Sequence, residues 1–237
     1  MNILLLVNIL LVPIQGYNLG PLINPVITGS ELTFAYTVGK SFHYVKNLNL
    51  NSNITRKIVH VSSAPLFIST WSLYNDYNPN FWASLVPLSA SLYIGSNSEN
   101  LTSILSRSGN KDEIFKGPLI YTLVLTFLTY TNWLDTPNGV IAMTQLAVGD
   151  GFSDLIGRKY GKTKWIHNRK KSIEGSLGFL GTSFISTILF LNYFNFDYSL
   201  EKIFIISLIC SLVESLPKID DNLSVPFVAL LLCNFYL

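Results

Sequence analysis

The sequence predicts an all-α protein, a polytopic transmembrane helical bundle with seven spans from residue 58 onward and one or two weaker spans before them. Three observations support this fold class. Of the 237 residues, 49% are hydrophobic and only 13% are charged, whereas soluble domains carry about 25% charged residues. The apolar residues recur in stretches close to the roughly 17 to 25 residues that a bilayer-spanning helix needs. The Lys and Arg residues gather in alternate connections between those stretches.

Seven apolar stretches are candidate spans, and several are short enough to require local thinning of the bilayer. They cover residues 58–74, 80–95, 118–134, 138–152, 175–191, 203–216 and 225–237. A weaker eighth span covers residues 23–45, and the apolar start of the chain is a candidate ninth. That start lacks the basic region of a signal peptide and the Arg and Ser of a transit peptide. A short first helix is the favoured interpretation, with a degenerate targeting segment as the alternative.

The distribution of positive charge predicts how these helices are threaded. When they alternate through a membrane, all of the 16 Lys and Arg residues except Lys40 and Lys202 fall on one face, as the positive-inside rule expects. Every cluster that can carry chemistry lies in a loop of that basic face. We therefore expect those clusters to converge on one site.

An acidic pair lies at the end of the fourth of these spans. Asp150 and Asp154 stand four residues apart on one helix face, where two like charges repel unless a cation lies between them. A charge at bilayer depth costs roughly 2.5 to 3.5 kcal/mol, so something must offset it. The pattern predicts that both aspartates are catalytic and bind a divalent metal, with Mg²⁺ favoured by the oxygen ligands. A helix end solvated among the lipid headgroups is the alternative.

A basic segment with seven Lys and Arg residues follows directly, between residues 158 and 171. By itself it is typical of a topogenic signal or an anionic-lipid patch. Its position beside the acidic pair instead favours a site for nucleotide phosphates. We expect Lys170 and Lys171 to neutralise charge on a transferring phosphoryl group, with Lys171 catalytic. The residues predicted here to bind nucleotide are Arg158, Lys162, Lys170, Ser172 and Glu174. A helix-capping role is the alternative for Glu174.

A second acidic group follows the sixth span. Asp220 and Asp221 are candidate catalytic residues, because such acids bind a second metal or orient an alcohol for in-line attack on phosphorus. Glu214 and Asn222 are assigned to the substrate. For Asn222, a turn or helix cap is an equal alternative.

Two earlier clusters on the basic face complete the predicted nucleotide site. Its further candidate residues are Arg56, Lys57, Arg107 and Lys116. Arg56, Lys57 and His60 span one helical turn, and His60 faces roughly the same way as Arg56. His60 is either a hydrogen-bonded packing residue or a base. His43 and His167 have no spacing that suggests a function. Cys210 and Cys233 lie in apolar runs without a metal-binding or disulfide pattern, which predicts buried, inert thiols.

Four ordered motifs run from Arg56 to the end of the chain: RKIVH; SRSG with KGPLIY; GDGFSDLIGRKYGK with NRKKSIEGS; and VESLPKIDDNLSVP. Together they closely resemble the phytol kinases. These belong to the polyprenol kinase family, with the dolichol kinases and the CTP-dependent diacylglycerol kinases. The resemblance divides the chain into weakly matched N-terminal membrane segments, residues 1–55, and a transmembrane catalytic domain, residues 56–237.

The resemblance implies a membrane kinase that transfers the γ-phosphoryl of CTP, or of another nucleoside triphosphate, to the hydroxyl of phytol or a related isoprenoid alcohol. The product would be phytyl phosphate for tocopherol and prenyl lipid synthesis. It also implies Mg²⁺, the lipid bilayer as a partner, no nucleic acid, and a plastid membrane in a photosynthetic eukaryote. A farnesol, geranylgeraniol or dolichol kinase and a cytidylyltransferase like CDP-diacylglycerol synthase are alternatives. A transporter is disfavoured, because the acids lie at helix ends and the mid-span regions carry almost no charge.

Overall fold

The computed structural model describes residues 20–45, 52–96, 115–217 and 220–236, and every regular element within these ranges is helical. The all-α prediction is therefore confirmed for the described part of the chain. In order, the helices are α1 (Ile23–Val45), α2 (Ser52–Ser69), α3 (Pro79–Ser96), α4 (Ile120–Thr131), α5 (Asn138–Thr144), α6 (Asp150–Tyr160), α7 (Ile173–Tyr193), α8 (Leu200–Glu214) and α9 (Asp221–Tyr236). The candidate ninth span at the start of the chain lies outside the described residues.

Each of the seven predicted spans overlaps a helix, and at the fourth the helix extends beyond the apolar span. The span ends at residue 152, whereas helix continues from α5 through a π-helical segment, Gln145–Gly149, and on through α6. The reason is that α6 is amphipathic and polar along one face. Hydropathy marks the end of an apolar run, and a helix with a solvated face continues beyond that point.

The segment that leads to Asp150 forms the centre of the bundle. Every residue from 139 to 150 is buried, and the π-helical segment packs against α2, α7, α8 and α9. A helix surrounded on all sides needs small residues where neighbours approach closely. At Gly149, a β-carbon would lie 2.7 Å from a ring carbon of Phe179, which is itself fully buried on α7. The central helix is therefore held tightly just before the first acid of the site.

Polar contacts join several connections at one end of the bundle. Tyr193 at the end of α7 donates its hydroxyl to the carbonyl oxygen of Ser69 at the end of α2, at 3.1 Å. Asn138 at the start of α5 donates to the Asn234 side chain near the end of α9, at 3.1 Å. The opposite ends of these helices therefore lie together at the other end of the bundle. The acidic and basic clusters also lie there.

The membrane prediction is supported by one helix of full length. Among the described helices, α7 is long and apolar enough to cross a bilayer, whereas the apolar helices at Gly117–Thr131 and Asp221–Tyr236 are shorter. The seven-span arrangement therefore stays a prediction.

The outer surface of the last three helices is apolar. Large side chains at four-residue or eight-residue spacing point outward and are exposed: Leu177, Ile185 and Leu189 on α7, Phe204, Leu208 and Leu212 on α8, and Leu223, Phe227, Leu231 and Phe235 on α9. A contiguous apolar surface of this kind is typical of contact with lipid or with another protein.

Candidate functional site

Three carboxylates from three helices meet at the basic end of the bundle. Asp150 begins α6, Glu214 ends α8 and Asp221 begins α9. One oxygen from each lies within 4.8 Å of the others. The structure thus joins the two acidic groups that the sequence treats separately, and we call these three residues the acidic cluster. Its oxygen ligands from buried and half-buried side chains are of the type that binds a hard divalent cation.

Lys171 lies against the acidic cluster. Its Nζ donates to Asp221 Oδ2 at 2.7 Å and also to Glu214 Oε1. Burial alone would favour the neutral amine, but the adjacent carboxylates outweigh that effect and raise the pKa of Lys171 above its ordinary value. Lys171 is therefore a fixed ammonium that offsets part of the clustered negative charge.

Glu214 is the most deeply buried member of the acidic cluster, with its side chain 1% exposed. Its Oε1 accepts a hydrogen bond from Ser153 Oγ at 2.8 Å as well as from Lys171. Its Oε2 is buried and has no hydrogen-bond partner. A buried carboxylate oxygen without a partner is costly, and a cation held by the acidic cluster would remove that cost. This atom is the structural feature that fits a metal ion.

Two basic side chains of α2 contact Asp150. Lys57 Nζ lies 3.3 Å from Asp150 Oδ2, and His60 Nε2 lies 3.3 Å from the same oxygen. The His60 ring packs on the ring of Tyr121, with centroids 4.2 Å apart. The sequence is compatible with His60 as a packing residue or as a base, and it gives no sign of Tyr121.

Asp154 lies one turn farther along α6 and contacts bases. Arg158 Nε donates to Asp154 Oδ1 at 2.9 Å, and Lys57 Nζ lies 3.7 Å from Asp154 Oδ2. The sequence paired Asp150 with Asp154 as metal ligands. In the structure Asp150 instead groups with Glu214 and Asp221, while Asp154 holds the two bases.

The basic segment between α6 and α7 forms a short hairpin, residues 161–172. An isolated antiparallel bridge joins Lys164 and Ser172, and the amide of Ile173 donates to the carbonyl of Thr163 at 2.9 Å. Ser172 Oγ accepts from the Gly175 amide at 3.1 Å and so caps α7. The Glu174 carboxylate accepts from the Thr163 amide at 2.9 Å.

The tip of the hairpin is docked on the end of α8. His167 Nε2 lies 3.1 Å from Ser215 Oγ, and Asn168 Nδ2 donates to the Ser215 carbonyl at 3.1 Å. These contacts hold the hairpin where Lys171 reaches Glu214. Lys162 and Lys170 are exposed on the same hairpin and remain accessible to a soluble anion. The sequence suggested no function for His167.

The two neighbouring acids at the start of α9 have different surroundings. Asp220 Oδ1 accepts from the backbone amide of Asn222 at 3.0 Å and from its side-chain amide at 3.1 Å, so Asp220 caps the helix. Asp221 faces the acidic cluster. Asn222 lies in the first turn of α9 and donates to Asp220, and its assignment to the substrate stays a prediction.

Three predicted nucleotide ligands cannot be placed. Arg107 lies outside the described residues, as do the side chains of Arg56 and Lys116. Their assignment to the nucleotide stays a prediction.

Comparisons with known proteins give one consistent set of relatives. The chain is 32% identical over 223 residues to "Phytol kinase 1, chloroplastic" of Arabidopsis thaliana. The aligned region covers 86% of this chain and 73% of that protein. It is 33% identical over 233 residues to "Probable phytol kinase 1, chloroplastic" of Glycine max, covering 90% of this chain and 77% of the relative. It is also 31% identical over 198 residues to "Farnesol kinase, chloroplastic" of Arabidopsis thaliana, covering 76% and 64%. No family model matches the chain. No solved structure matches it.

Proposed function

We propose that this chain, which belongs to the phytol kinase family, is an isoprenoid alcohol kinase. It transfers the γ-phosphoryl group of a nucleoside triphosphate, CTP by preference, to the hydroxyl of phytol. The observation that carries the proposal is the meeting of Asp150, Glu214 and Asp221 around Lys171 beside a basic hairpin. Phosphoryl transfer depends mainly on positioning and on charge stabilisation, and this arrangement supplies both.

Mg²⁺ is the metal that we assign to the acidic cluster. Asp150, Glu214 and Asp221 would hold it, because their oxygens lie within 4.8 Å of one another and one Glu214 oxygen lacks a partner. A bound Mg²⁺ ion neutralises charge on the phosphates of a nucleotide. Asp154 supports this arrangement indirectly, since it holds Lys57 beside Asp150.

The basic side chains of the site are assigned to the phosphates. The exposed Lys162 and Lys170 can bind the triphosphate by charge-assisted hydrogen bonds. Lys171 brings its ammonium to the acidic cluster, where it offsets negative charge as the phosphoryl group transfers. The contacts of His167 and Asn168 with Ser215 support this assignment, because they hold the hairpin beside the acidic cluster.

Asp221 is our candidate for the residue that accepts the proton of the alcohol. Its side chain is 22% exposed, against 10% for Asp150 and 1% for Glu214. A general base must come within hydrogen-bond reach of the hydroxyl, and Asp221 is the most accessible carboxylate of the acidic cluster. Asp220 is engaged in capping α9, so it serves the site by orienting its neighbour.

The alcohol reaches the site from a membrane. The apolar outer surfaces of α7, α8 and α9 provide contact with lipid, and the acidic cluster lies at the ends of α8 and α9. We propose a multi-pass protein of the plastid membrane, supported by relatives that are named chloroplastic. Its product would be phytyl phosphate for tocopherol and related prenyl lipids.

Farnesol is the second candidate substrate, because the chain is similar over 76% of its length to a farnesol kinase. The acidic cluster and the basic hairpin would act in the same way on either alcohol. Only the apolar space that receives the isoprenoid chain would differ.

The test is an assay of the purified full chain with phytol, farnesol and geranylgeraniol and four γ-labelled nucleoside triphosphates. We expect label in the lipid product with CTP and phytol. Replacing Glu214 by Gln should lower the rate by at least about 100-fold, since it changes a direct metal ligand. The matched control is Asp197→Asn, an exposed acid in the connection from α7 to α8. Transfer of label from α-labelled CTP would instead establish cytidylyl transfer, and an unchanged Glu214→Gln rate would refute the acidic cluster as the site.

A further inference from the structure

The Nε2 atom of His60 contacts two oxygen atoms at once. It lies 3.3 Å from Asp150 Oδ2 and 3.3 Å from the carbonyl oxygen of Leu146. A carbonyl oxygen only accepts hydrogen bonds, and so does an ionised carboxylate. The nitrogen between them must therefore carry the hydrogen. The single Nε2 hydrogen is therefore shared between the Leu146 carbonyl and Asp150, and Nε2 is not available as a base.

The imidazole ring is held in this orientation by α4. The Tyr121 ring packs on it, and the Tyr121 hydroxyl donates to the His60 carbonyl oxygen at 3.0 Å and pairs with Ser63 Oγ at 3.0 Å. Close packing of α2 on α6 adds to the constraint. At Gly151, a β-carbon would lie 2.2 Å from Val61 Cγ2, so the Val61 side chain packs directly on the backbone of α6 beside His60.

Lys57 and His60 act differently on Asp150. Lys57 is buried, and its Nζ donates to Asp150 Oδ2 at 3.3 Å and lies 3.7 Å from Asp154 Oδ2. Its charge is therefore shared between two carboxylates of α6. His60 instead ties the carboxylate to the Leu146 carbonyl in the π-helical segment, one turn earlier in the same helix. Segments of this kind interrupt helices frequently at functional sites.

We propose that His60 is a positioning residue, which donates its Nε2 hydrogen to Asp150 and holds that carboxylate in the orientation that binds the metal. The inference rests on the proposed function, since it presupposes that the acidic cluster binds a divalent cation. Hydrogen-bond partners of metal-binding side chains typically contribute 10-fold to 100-fold in metal affinity. His60 does not touch the substrate in this role.

The test measures Mn²⁺ binding by electron paramagnetic resonance on the purified full chain, with the melting temperature recorded for every variant. His60→Phe keeps a ring against Tyr121 but removes the donor. His60→Gln loses the ring but places an amide nitrogen near the position of Nε2. We expect His60→Phe to weaken Mn²⁺ binding by about 10-fold to 100-fold, and His60→Gln to stay within a few-fold of the unsubstituted chain.

A packing role predicts the reverse order, with His60→Phe close to the unsubstituted chain and His60→Gln impaired, and that result would overturn the inference. If His60→Phe does not fold, the comparison of His60→Gln with His60→Asn replaces it, because the shorter amide does not reach Asp150. The Asp150→Asn variant distinguishes failure of the proposed metal site from failure of the proposed role of His60. If Asp150→Asn binds Mn²⁺ normally, the metal site of the proposed function is refuted together with the role of His60. If only His60→Phe binds normally, the metal site stands and the positioning role is refuted.

Discussion

Lys171 is the residue on which the charge balance of the site depends. It is the base that contacts both Glu214 and Asp221, and without it these two acids would face each other across a short, poorly solvated distance. The pKa of Lys171 is raised for the same reason, because removing its proton would leave the two carboxylates without a positive counter-charge. The ammonium therefore supports the fold of the site as well as the proposed transfer.

Replacing Lys171 by Met should reduce both activity and stability. Removal of one partner from a largely buried ion pair costs on the order of 3 kcal/mol, because the other charge stays behind. We expect Lys171→Met to have a lower melting temperature. Added Mg²⁺ should restore part of the lost melting temperature, since the cation would replace the missing positive charge. Thermal unfolding with and without Mg²⁺ measures this, and Lys202→Met, at the start of α8, is the control. A Lys171→Met protein with unchanged melting temperature would contradict the account.

Single residues of the site could be predicted from charge and spacing, but their partners could not. The sequence singled out Asp150, Lys171 and Asp221, and the structure brings them together. The grouping of Asp150 with Glu214 depends on how α6 and α8 both pack against α7, which no local pattern reveals. Ser153 could have been found, because it follows Asp150 by about one helical turn and therefore lies on the same side of α6.

At the level of elements, the site depends on a close contact between the central helix and α7. Gly149 ends the π-helical segment immediately before Asp150, and the buried ring of Phe179 occupies the space beside it. Any side chain at this position would separate the two helices. The first carboxylate of the acidic cluster would then move away from α8 and α9.

Gly149→Ala should therefore destabilise the protein, although Ala favours a helix over Gly. The added methyl group would lie 2.7 to 2.9 Å from three Phe179 ring carbons, and overpacking of this kind costs about 1–3 kcal/mol. Gly181→Ala is a matched control on α7, because a β-carbon there has no atom within 4 Å and should leave stability unchanged or slightly higher. Melting temperatures compare the two. Equal values for both variants would show that the helices are not fixed against each other at Gly149.

The apolar runs of the sequence predict where the helices are. The ends of the helices and the existence of the hairpin depend on tertiary contacts, which the sequence pattern does not show. The apolar span at residues 138–152 ends before the helix does, because α6 keeps a polar face toward Lys57 and the acidic cluster. The hairpin at residues 161–172 was expected only as a loop. Its contacts with Ser215 come from a distant part of the chain, so local propensity carries no sign of them.

On the scale of the whole molecule, the two ends of the bundle differ in charge. One end holds the acidic cluster and the basic hairpin. The opposite end has connections that carry Asp76, Asp135 and Asp197, and neutral hydrogen bonds such as those of Tyr193 and Asn138. An apolar outer surface lies between the two ends on α7, α8 and α9. This division into polar ends and an apolar middle is what a membrane would impose, and it is the physical basis of the seven-span prediction.

Thiol labelling in sealed vesicles tests that prediction directly. Ile166 at the tip of the basic hairpin is 90% exposed, so Ile166→Cys should react with a membrane-impermeant maleimide on one side only. Cysteines at positions 76, 135 and 197 replace exposed aspartates and should react only from the other side. The reason is that an even number of predicted spans separates these three positions from one another, whereas an odd number of spans separates each of them from Ile166. The native Cys210 and Cys233 are buried and should contribute little background. Labelling of all four positions from the same side of an intact vesicle would refute the transmembrane threading, while the acidic cluster would remain as described.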